Sequence, residues 1–320
     1  MSISVIGAGA FGTGIANALA IEATVVLWGR NADEMGKIQD SRENKKRLAG
    51  VTLHDRVTAT ADLANAFDAD VVLLCLPTQQ IGRFLEQHKD ALFDKTIVSC
   101  CKGIDLTTGR GPVDLIDRHV PSATSAILTG PSFAIDIAKG LPTALTLASG
   151  NLTDAETLQR VLSTQSLRLY ASDDVQGAQL GGALKNVIAI GCGALMGAGL
   201  GESARAALIT RGFAEMQRLG AALGAQQDTL AGLSGFGDLV LTCTSPTSRN
   251  YRYGQALGTG QTWTSDETVE GASTAKAVAK IADRQDIEMP ITQSLCQLIS
   301  GDITLSQAVA QLLSRPLTTE

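Results

Sequence analysis

Lys185 is the only charged residue between Asp174 and Glu202, and it lies in the run Gly181-Gly182-Ala183-Leu184-Lys185-Asn186-Val187-Ile188-Ala189-Ile190-Gly191. A buried ammonium loses much of its hydration, so an apolar Gly/Ala-rich segment carries one only with compensation. Burial disfavours the charged form of an amine and brings it toward the range where it exchanges protons at neutral pH. Proton transfer is therefore the chemistry to which this lysine points. The alternative is a side chain whose stem lies along the core while its head reaches solvent.

A second chemical signal opens the chain. Gly7-Ala8-Gly9-Ala10-Phe11-Gly12 follows the strand-like Ser2–Ile6 and precedes an apolar helical stretch from Thr13 to Ala20. In that context Gly7, Gly9 and Gly12 would serve a tight turn, a close approach to a pyrophosphate and close helix packing, with the phosphates at the helix N-terminus. About twenty residues on, an NAD site usually shows a carboxylate for the ribose 2′-hydroxyl. Here the order is Leu27-Trp28-Gly29-Arg30-Asn31. A guanidinium there can hold a 2′-phosphate, which favours NADP, with NAD as the second cofactor. A solvated Arg30 is the competing reading.

Three further groups complete the candidate chemistry. Lys102, in Cys101-Lys102-Gly103, follows the apolar stretch Thr96–Cys100, and ligands bind beyond the carboxyl ends of strands in open α/β sheets; it also reads as an ordinary loop lysine. Gly232-Leu233-Ser234-Gly235-Phe236-Gly237-Asp238-Leu239 is a glycine-rich turn that delivers a carboxylate, followed by Thr242 and by Ser248-Arg249-Asn250. Asp238 could orient Lys185 and hold a substrate hydroxyl, and Arg249 with Asn250 could bind a phosphate. Taken singly, a helix-capping Asp and a surface Arg explain them equally well. The three histidines, His54, His88 and His119, lie in polar segments, which removes a histidine base and leaves an amine.

The elements that must position these groups change character once along the chain. Apolar stretches at Ile3–Ile6, Thr24–Trp28, Asp70–Leu76, Thr96–Cys100, Ser125–Leu128 and Ala144–Ala148 lack polar alternation and predict strands buried on both faces of a largely parallel sheet. Beyond Asp173 the pattern predicts long helices at Asp174–Leu195, Ala204–Leu223, Ser273–Arg284, Thr292–Ser300 and Leu305–Leu313, with Pro290 as a helix-start signal. The expected architecture is an N-terminal Rossmann-like doubly wound domain over residues 1–172 and an all-α substrate-binding domain over 173–320.

The length of 320 residues suits two domains, and a net charge of −6 argues against an extended nucleic-acid surface. The segment around Lys185 is apolar enough to suggest a membrane span, but Lys185 and Asn186 lie near its middle and Gln176 and Gln179 in its first turn, so a core helix is expected instead. No signal peptide is expected ahead of the first strand. Six cysteines without C-x-x-C spacing are expected as reduced core thiols in a cytoplasmic protein, with no metal site.

Longer blocks resemble bacterial NAD(P)+-dependent glycerol-3-phosphate dehydrogenases. They are Gly7–Gly12, Cys101–Ile104, Thr129-Gly-Pro-Ser-Phe-Ala134, Gly140-Leu-Pro-Thr-Ala144, Gln179–Gly191, Ala207–Met216, Gly237-Asp-Leu-Val-Leu-Thr-Cys-Thr244 and Ser248–Asn250. Together they run in order along essentially the whole chain. The resemblance implies interconversion of dihydroxyacetone phosphate and sn-glycerol 3-phosphate, a product used in phospholipid synthesis. It implies Lys185 as the proton donor and acceptor, assisted by Asp238, Asn186 and Lys102. It places Lys102, Gly130, Ser132, Lys185, Asp238, Ser248, Arg249 and Asn250 on the substrate. It places Gly7, Gly9, Ala10, Phe11, Gly12, Arg30, Lys102, Ala134, Arg249, Val269 and Glu270 on the cofactor. The partner is then a small phosphorylated three-carbon substrate, and a homodimer is expected. Departures from the family pattern fall at Ala10, at Cys100-Cys101 and at Leu48-Ala49-Gly50. A ketopantoate-type reductase, which would need a carboxylate clamp, and a non-catalytic NADP-binding regulator are the alternatives that the residues leave open.

Overall fold

The computed structural model describes residues 1–265 and 267–314. Its contacts group into two compact units, one of Met1–Lys102 with Gly111–Gln179, the other of Gly103–Arg110 with the chain from Leu180 onward.

The first unit holds eight strands: β1 (Ile3–Ile6), β2 (Val25–Trp28), β3 (Val57–Thr60), β4 (Val71–Leu74), β5 (Thr96–Ser99), β6 (Thr124–Thr129), β7 (Thr143–Ser149) and β8 (Leu167–Ser172). They form one sheet in the order β3-β2-β1-β4-β5-β6-β7-β8, parallel throughout except where β6 meets β7. The chain thus runs outward from β1 in both directions, the doubly wound arrangement, and its switch point lies beyond the carboxyl ends of β1 and β4. The helices are α1 (Ala10–Leu19), α2 (Ala32–Ser41), α3 (Leu63–Phe67), α4 (Thr78–His88), α5 (Pro112–His119), α6 (Ala134–Ala138) and α7 (Leu152–Leu162).

Alternation along β4 shows why its run is apolar without a break. Val71 and Leu73 join one buried cluster with Ile15 and Leu19 of α1, while Val72 and Leu74 join another with Ile81 and Leu85 of α4. Both faces are covered, so neither tolerates polar side chains. The six expected strands are present. Strands β3 and β8, at the two edges, were not read from the sequence; both alternate buried with exposed residues, Val-Thr-Ala-Thr and Leu-Arg-Leu-Tyr, and lack the apolar run.

The second unit is helical: α8 (Val175–Gly197, whose first turn groups with the first unit), α9 (Glu202–Ala222), α10 (Gln227–Ala231), α11 (Asp238–Thr244), α12 (Arg249–Thr259), α13 (Glu270–Gln285), α14 (Pro290–Ser300) and α15 (Leu305–Leu313). Leu184, Val187, Ile188 and Cys192 of α8 lie at the centre of its core, against Met216, Leu239, Tyr251, Val278 and Leu295. Helices α8 and α12 meet backbone to backbone, since a Cβ on Gly193 would fall 2.0 Å from the Tyr251 carbonyl oxygen and one on Gly254 2.0 Å from that of Ile190. Among the described residues α8 is the one helix long and apolar enough to cross a membrane, and 83% of its apolar window is buried inside the protein. Pro290 is the first residue of α14, as expected of a helix start.

The segment before Asp238 differs from its expectation. It is not an open glycine turn but a π-helical turn, Leu233–Gly237, that runs directly into α11. Glycine permits it there: a Cβ on Gly235 would overlap the Leu230 carbonyl oxygen at 1.9 Å.

Candidate active site

In the first unit the glycine turn is tightly wound. Gly7 has φ 119°, and a Cβ on Gly12 would lie 1.9 Å from the Gly7 carbonyl oxygen, so neither position accepts a side chain. A Cβ on Gly9, by contrast, would meet nothing within 4 Å, which leaves the backbone open to a ligand. Gly9 caps α1 without a side-chain hydrogen bond, and the first turn of α1 holds no acidic residue. The N–H groups of that turn, beginning with Ala10 and Phe11, thus form an anion-binding end, and the residues present fit a pyrophosphate.

Arg30 is exposed directly before Asn31, whose side chain caps α2 by accepting from the Glu34 N–H at 2.9 Å. The nearby Glu34 carboxylate is bound by Lys46 at 2.6 Å, which holds it below the usual carboxylate range. At the end of β6, Gly130 adopts φ 140°, and its carbonyl accepts from Lys102 Nζ at 2.8 Å and from Ser132 Oγ at 3.0 Å. Lys102 also reaches Ser132 Oγ at 3.5 Å. The structure thus joins the three substrate candidates of this unit. Ala134 opens α6, and its carbonyl oxygen would lie 2.6 Å from a Cβ on Gly14. Ala10, Ala134 and Leu48 share a small apolar cluster, so two of the departures from the family pattern are packed together.

The cysteines at the strand ends are packed rather than poised. A hydrogen bond with Cys100, together with burial, pushes the Cys75 thiol well above its ordinary range, and Cys101 Sγ donates to the Leu76 carbonyl at 2.8 Å.

In the second unit Lys185 is 6% exposed, which excludes a head extended into water. Its Nζ donates to Asp238 Oδ1 at 2.6 Å and to Thr242 Oγ1 at 2.8 Å, and Thr242 Oγ1 donates to Asp238 Oδ1 at 3.3 Å. The three groups close a hydrogen-bonded ring. Asp238, itself 1% exposed, supplies the counter-charge that a buried ammonium needs. The position of Thr242, four residues after Asp238 on α11, places both on one helix face. The neighbouring Cys243 thiol is raised well above its ordinary range by burial and by a hydrogen bond with Cys192.

Asn186, next to Lys185 on α8, makes hydrogen bonds within its own helix and to α12. Its Oδ1 accepts from Asn250 Nδ2 at 2.9 Å, and its Nδ2 donates to the Gly182 carbonyl at 3.3 Å. Asn250 Oδ1 in turn accepts from the Gly271 N–H at 3.0 Å, which ties α8 and α12 to the start of α13, where Val269 and Glu270 lie. Ser248 caps α12 by accepting from the Tyr251 N–H at 3.2 Å, and Arg249 is exposed as its first residue. A guanidinium at a helix N-terminus suits an anion. Among the described residues no group of three or more His, Cys, Asp or Glu could hold a metal ion.

Comparison with known proteins decides between the open readings. Residues 2–155 match the family described as NAD-dependent glycerol-3-phosphate dehydrogenase N-terminus, and residues 174–310 match its C-terminus. The chain belongs to the NAD-dependent glycerol-3-phosphate dehydrogenase family. It is 55% identical to glycerol-3-phosphate dehydrogenase [NAD(P)+] of Ruegeria sp. (strain TM1040) over 320 residues, covering all of both chains. The same enzyme of Paracoccus denitrificans is also 55% identical, with full coverage of both. A solved structure of glycerol-3-phosphate dehydrogenase from Coxiella burnetii has a TM-score of 0.92 at 34% identity, covering 98% of this chain and 99% of that one. A ketopantoate reductase from Ralstonia eutropha shares the fold alone, at 17% identity and a TM-score of 0.61. In this dehydrogenase family the resemblance of the short motifs therefore extends to the whole fold.

Proposed function

We propose that this chain interconverts dihydroxyacetone phosphate and sn-glycerol 3-phosphate by hydride transfer at C2, with NADPH or NADH. The observation that carries the reading is the buried Lys185–Asp238–Thr242 ring: a paired amine in a unit that contains no histidine. Bound NADPH supplies the hydride in the reducing direction. Lys185, as the ammonium, then gives a proton to the oxygen developing at C2; in the oxidising direction its neutral amine takes the hydroxyl proton. Asp238 and Thr242 hold the amine in one place, and Asp238 offsets its charge. Asn186 and Asn250 brace the helix that carries Lys185.

The phosphate of the substrate is assigned to Arg249, with Ser248 and Asn250 at the same helix start, and Lys102 with Gly130 and Ser132 supplies a second cation and polar contacts. Gly7, Gly9, Ala10, Phe11 and Gly12 hold the pyrophosphate, and Arg30 favours NADPH over NADH through the 2′-phosphate. Ala134, Val269, Glu270, Lys102 and Arg249 are assigned to the rest of the cofactor. A cytoplasmic homodimer that supplies glycerol 3-phosphate to phospholipid synthesis completes the proposal; the burial of helix α8 supports a soluble protein.

Turnover tests it. Purified protein with dihydroxyacetone phosphate and NADPH is expected to consume nicotinamide absorbance at 1:1 stoichiometry with glycerol 3-phosphate formed. Reduction of ketopantoate with no reaction of the phosphate ester would refute the assignment.

A further inference from the structure

Asn44 lies outside every residue so far assigned, yet it is 3% exposed and its side-chain amide donates to the glycine turn and to the helix that follows it. Its Nδ2 donates to the Ala8 carbonyl at 3.0 Å and to Thr13 Oγ1 at 2.8 Å, while its Oδ1 accepts from the Arg47 N–H at 3.2 Å. Both amide hydrogens are thereby committed, one to the middle of the turn and one to the first part of α1. The segment that presents Asn44 is itself tied down. The Arg42 carbonyl accepts from the Leu53 N–H at 2.7 Å, Glu43 Oε1 from the Gly50 N–H at 2.8 Å, and the Asn44 carbonyl from the Leu48 N–H at 2.8 Å.

The consequence follows from peptide geometry. The Ala8–Gly9 peptide bond is trans, so the Ala8 carbonyl and the Gly9 N–H of one planar unit point in opposite directions. Holding the carbonyl toward Asn44 aims the Gly9 N–H away from it. Gly9 is also the position whose Cβ would meet open space, and α1 has no side-chain cap of its own. Asn44 therefore fixes the orientation of a turn that glycine would otherwise leave free, since Gly7 and Gly9 have no Cβ to restrict them. We propose that Asn44 is a positioning residue for the dinucleotide, setting the affinity of the glycine turn for the pyrophosphate without contributing to the chemical step. This rests on the dehydrogenase reading, because the ligand is the nicotinamide dinucleotide.

The test uses Asn44→Leu, which keeps the shape, adds no charge and removes both donors. NADPH affinity is read by titrating nicotinamide fluorescence, folding by the melting midpoint without cofactor, and the split between NADPH and substrate by steady-state kinetics. Losing a hydrogen bond and leaving the Ala8 carbonyl unpaired is expected to raise the Kd and KM for NADPH about tenfold or more, with kcat and the KM for dihydroxyacetone phosphate within about twofold. Thr13→Val, which frees one of the two Asn44 hydrogens but leaves the Ala8 bond, is expected to give about a threefold rise; it decides the matter if Asn44→Leu does not fold. NADPH affinity within twofold of the parent in the folded variant overturns the role of Asn44. If the unsubstituted protein neither binds NADPH nor reduces dihydroxyacetone phosphate, the dehydrogenase reading fails first, and the inference with it.

Discussion

Lys185 and Glu215 are both buried in the helical unit, and their surroundings differ. Lys185 faces an opposite charge, Asp238, and a hydroxyl, Thr242. Glu215 of α9, 2% exposed, accepts instead from the N–H groups of Ile291 and Thr292 at 2.6 and 3.0 Å and from Thr292 Oγ1 at 2.9 Å. It caps helix α14 from a neighbouring helix, where the helix dipole and the Arg218 charge favour the carboxylate. Burial pushes its carboxyl above the ordinary value, against the pull of those backbone donors. The difference teaches that burial alone does not mark a catalytic group. Glu215 faces donors belonging to a helix end, where a carboxylate serves structure, whereas Lys185 is held by the side chains of Asp238 and Thr242, the arrangement that the proposed proton exchange requires.

The largest effect expected from breaking this contrast is that of Asp238→Ala. It strands the amine of Lys185 without its counter-charge and is expected to cost about 3–5 kcal/mol of stability by chemical denaturation, together with most of the activity. Adding Lys185→Met to Asp238→Ala is expected to recover much of the stability and none of the turnover. Equal stability of the single and double variants would show that the pair is not electrostatically coupled.

Glu215→Ala comes next, at about 2–4 kcal/mol, because two N–H donors lose their acceptor. Here kcat is expected to stay within about twofold of the parent. The sign of the pH dependence follows from the raised carboxyl: the folded state holds its proton more tightly than the unfolded chain, so the contribution is fullest below the unfolded value and declines as pH rises through the folded one. The stability gap between parent and variant is therefore expected to be widest at the acid end of that window. A gap that widened toward neutral pH would reverse the assigned shift.

Arg249→Ala sharpens the contrast from the exposed side, since this cation has no structural duty of the kind Glu215 has. Losing a charge-assisted hydrogen bond costs about 1.5–3 kcal/mol, so dihydroxyacetone phosphate should bind roughly 10- to 150-fold more weakly while phosphate-free dihydroxyacetone is little changed. Equal losses for both would move Arg249 out of phosphate binding. The smallest effect, about tenfold in kcat/KM, is expected of Arg30→Asp, which should turn a preference for NADPH into one for NADH. A parent enzyme indifferent to the 2′-phosphate would leave Arg30 as a solvated side chain.

Legibility followed the length scale of each interaction. The central strands could be read because burial on both faces leaves an unbroken apolar run, as in Val71–Leu74, whereas the edge strands β3 and β8 alternate and merge with loop patterns. Lys185 stood out because it is the only charged residue between Asp174 and Glu202. Asp238 was legible as a carboxylate, but the π-helical turn before it was not, because glycines that permit a tight backbone path look like those that form an open turn. The bond from Asn250 to Asn186 spans 64 residues, that from Glu215 to Ile291 76, and that from Asn44 to Ala8 36. No local periodicity encodes such pairings, so Glu215 and Asn44 looked ordinary in the sequence, and Asn186 and Asn250, though candidates there, showed no link to each other.

The central claim is that the amine of Lys185 moves the proton while the glycine turn grips the cofactor, and Lys185→Met tests it most directly. Steady-state reduction of dihydroxyacetone phosphate and NADPH titration are measured on the same preparation. A catalytic acid or base contributes about 10²–10⁴-fold, so kcat is expected to fall by that factor while the Kd for NADPH stays within a few-fold of the parent. A Met variant that turns over within a few-fold of the parent would contradict the account.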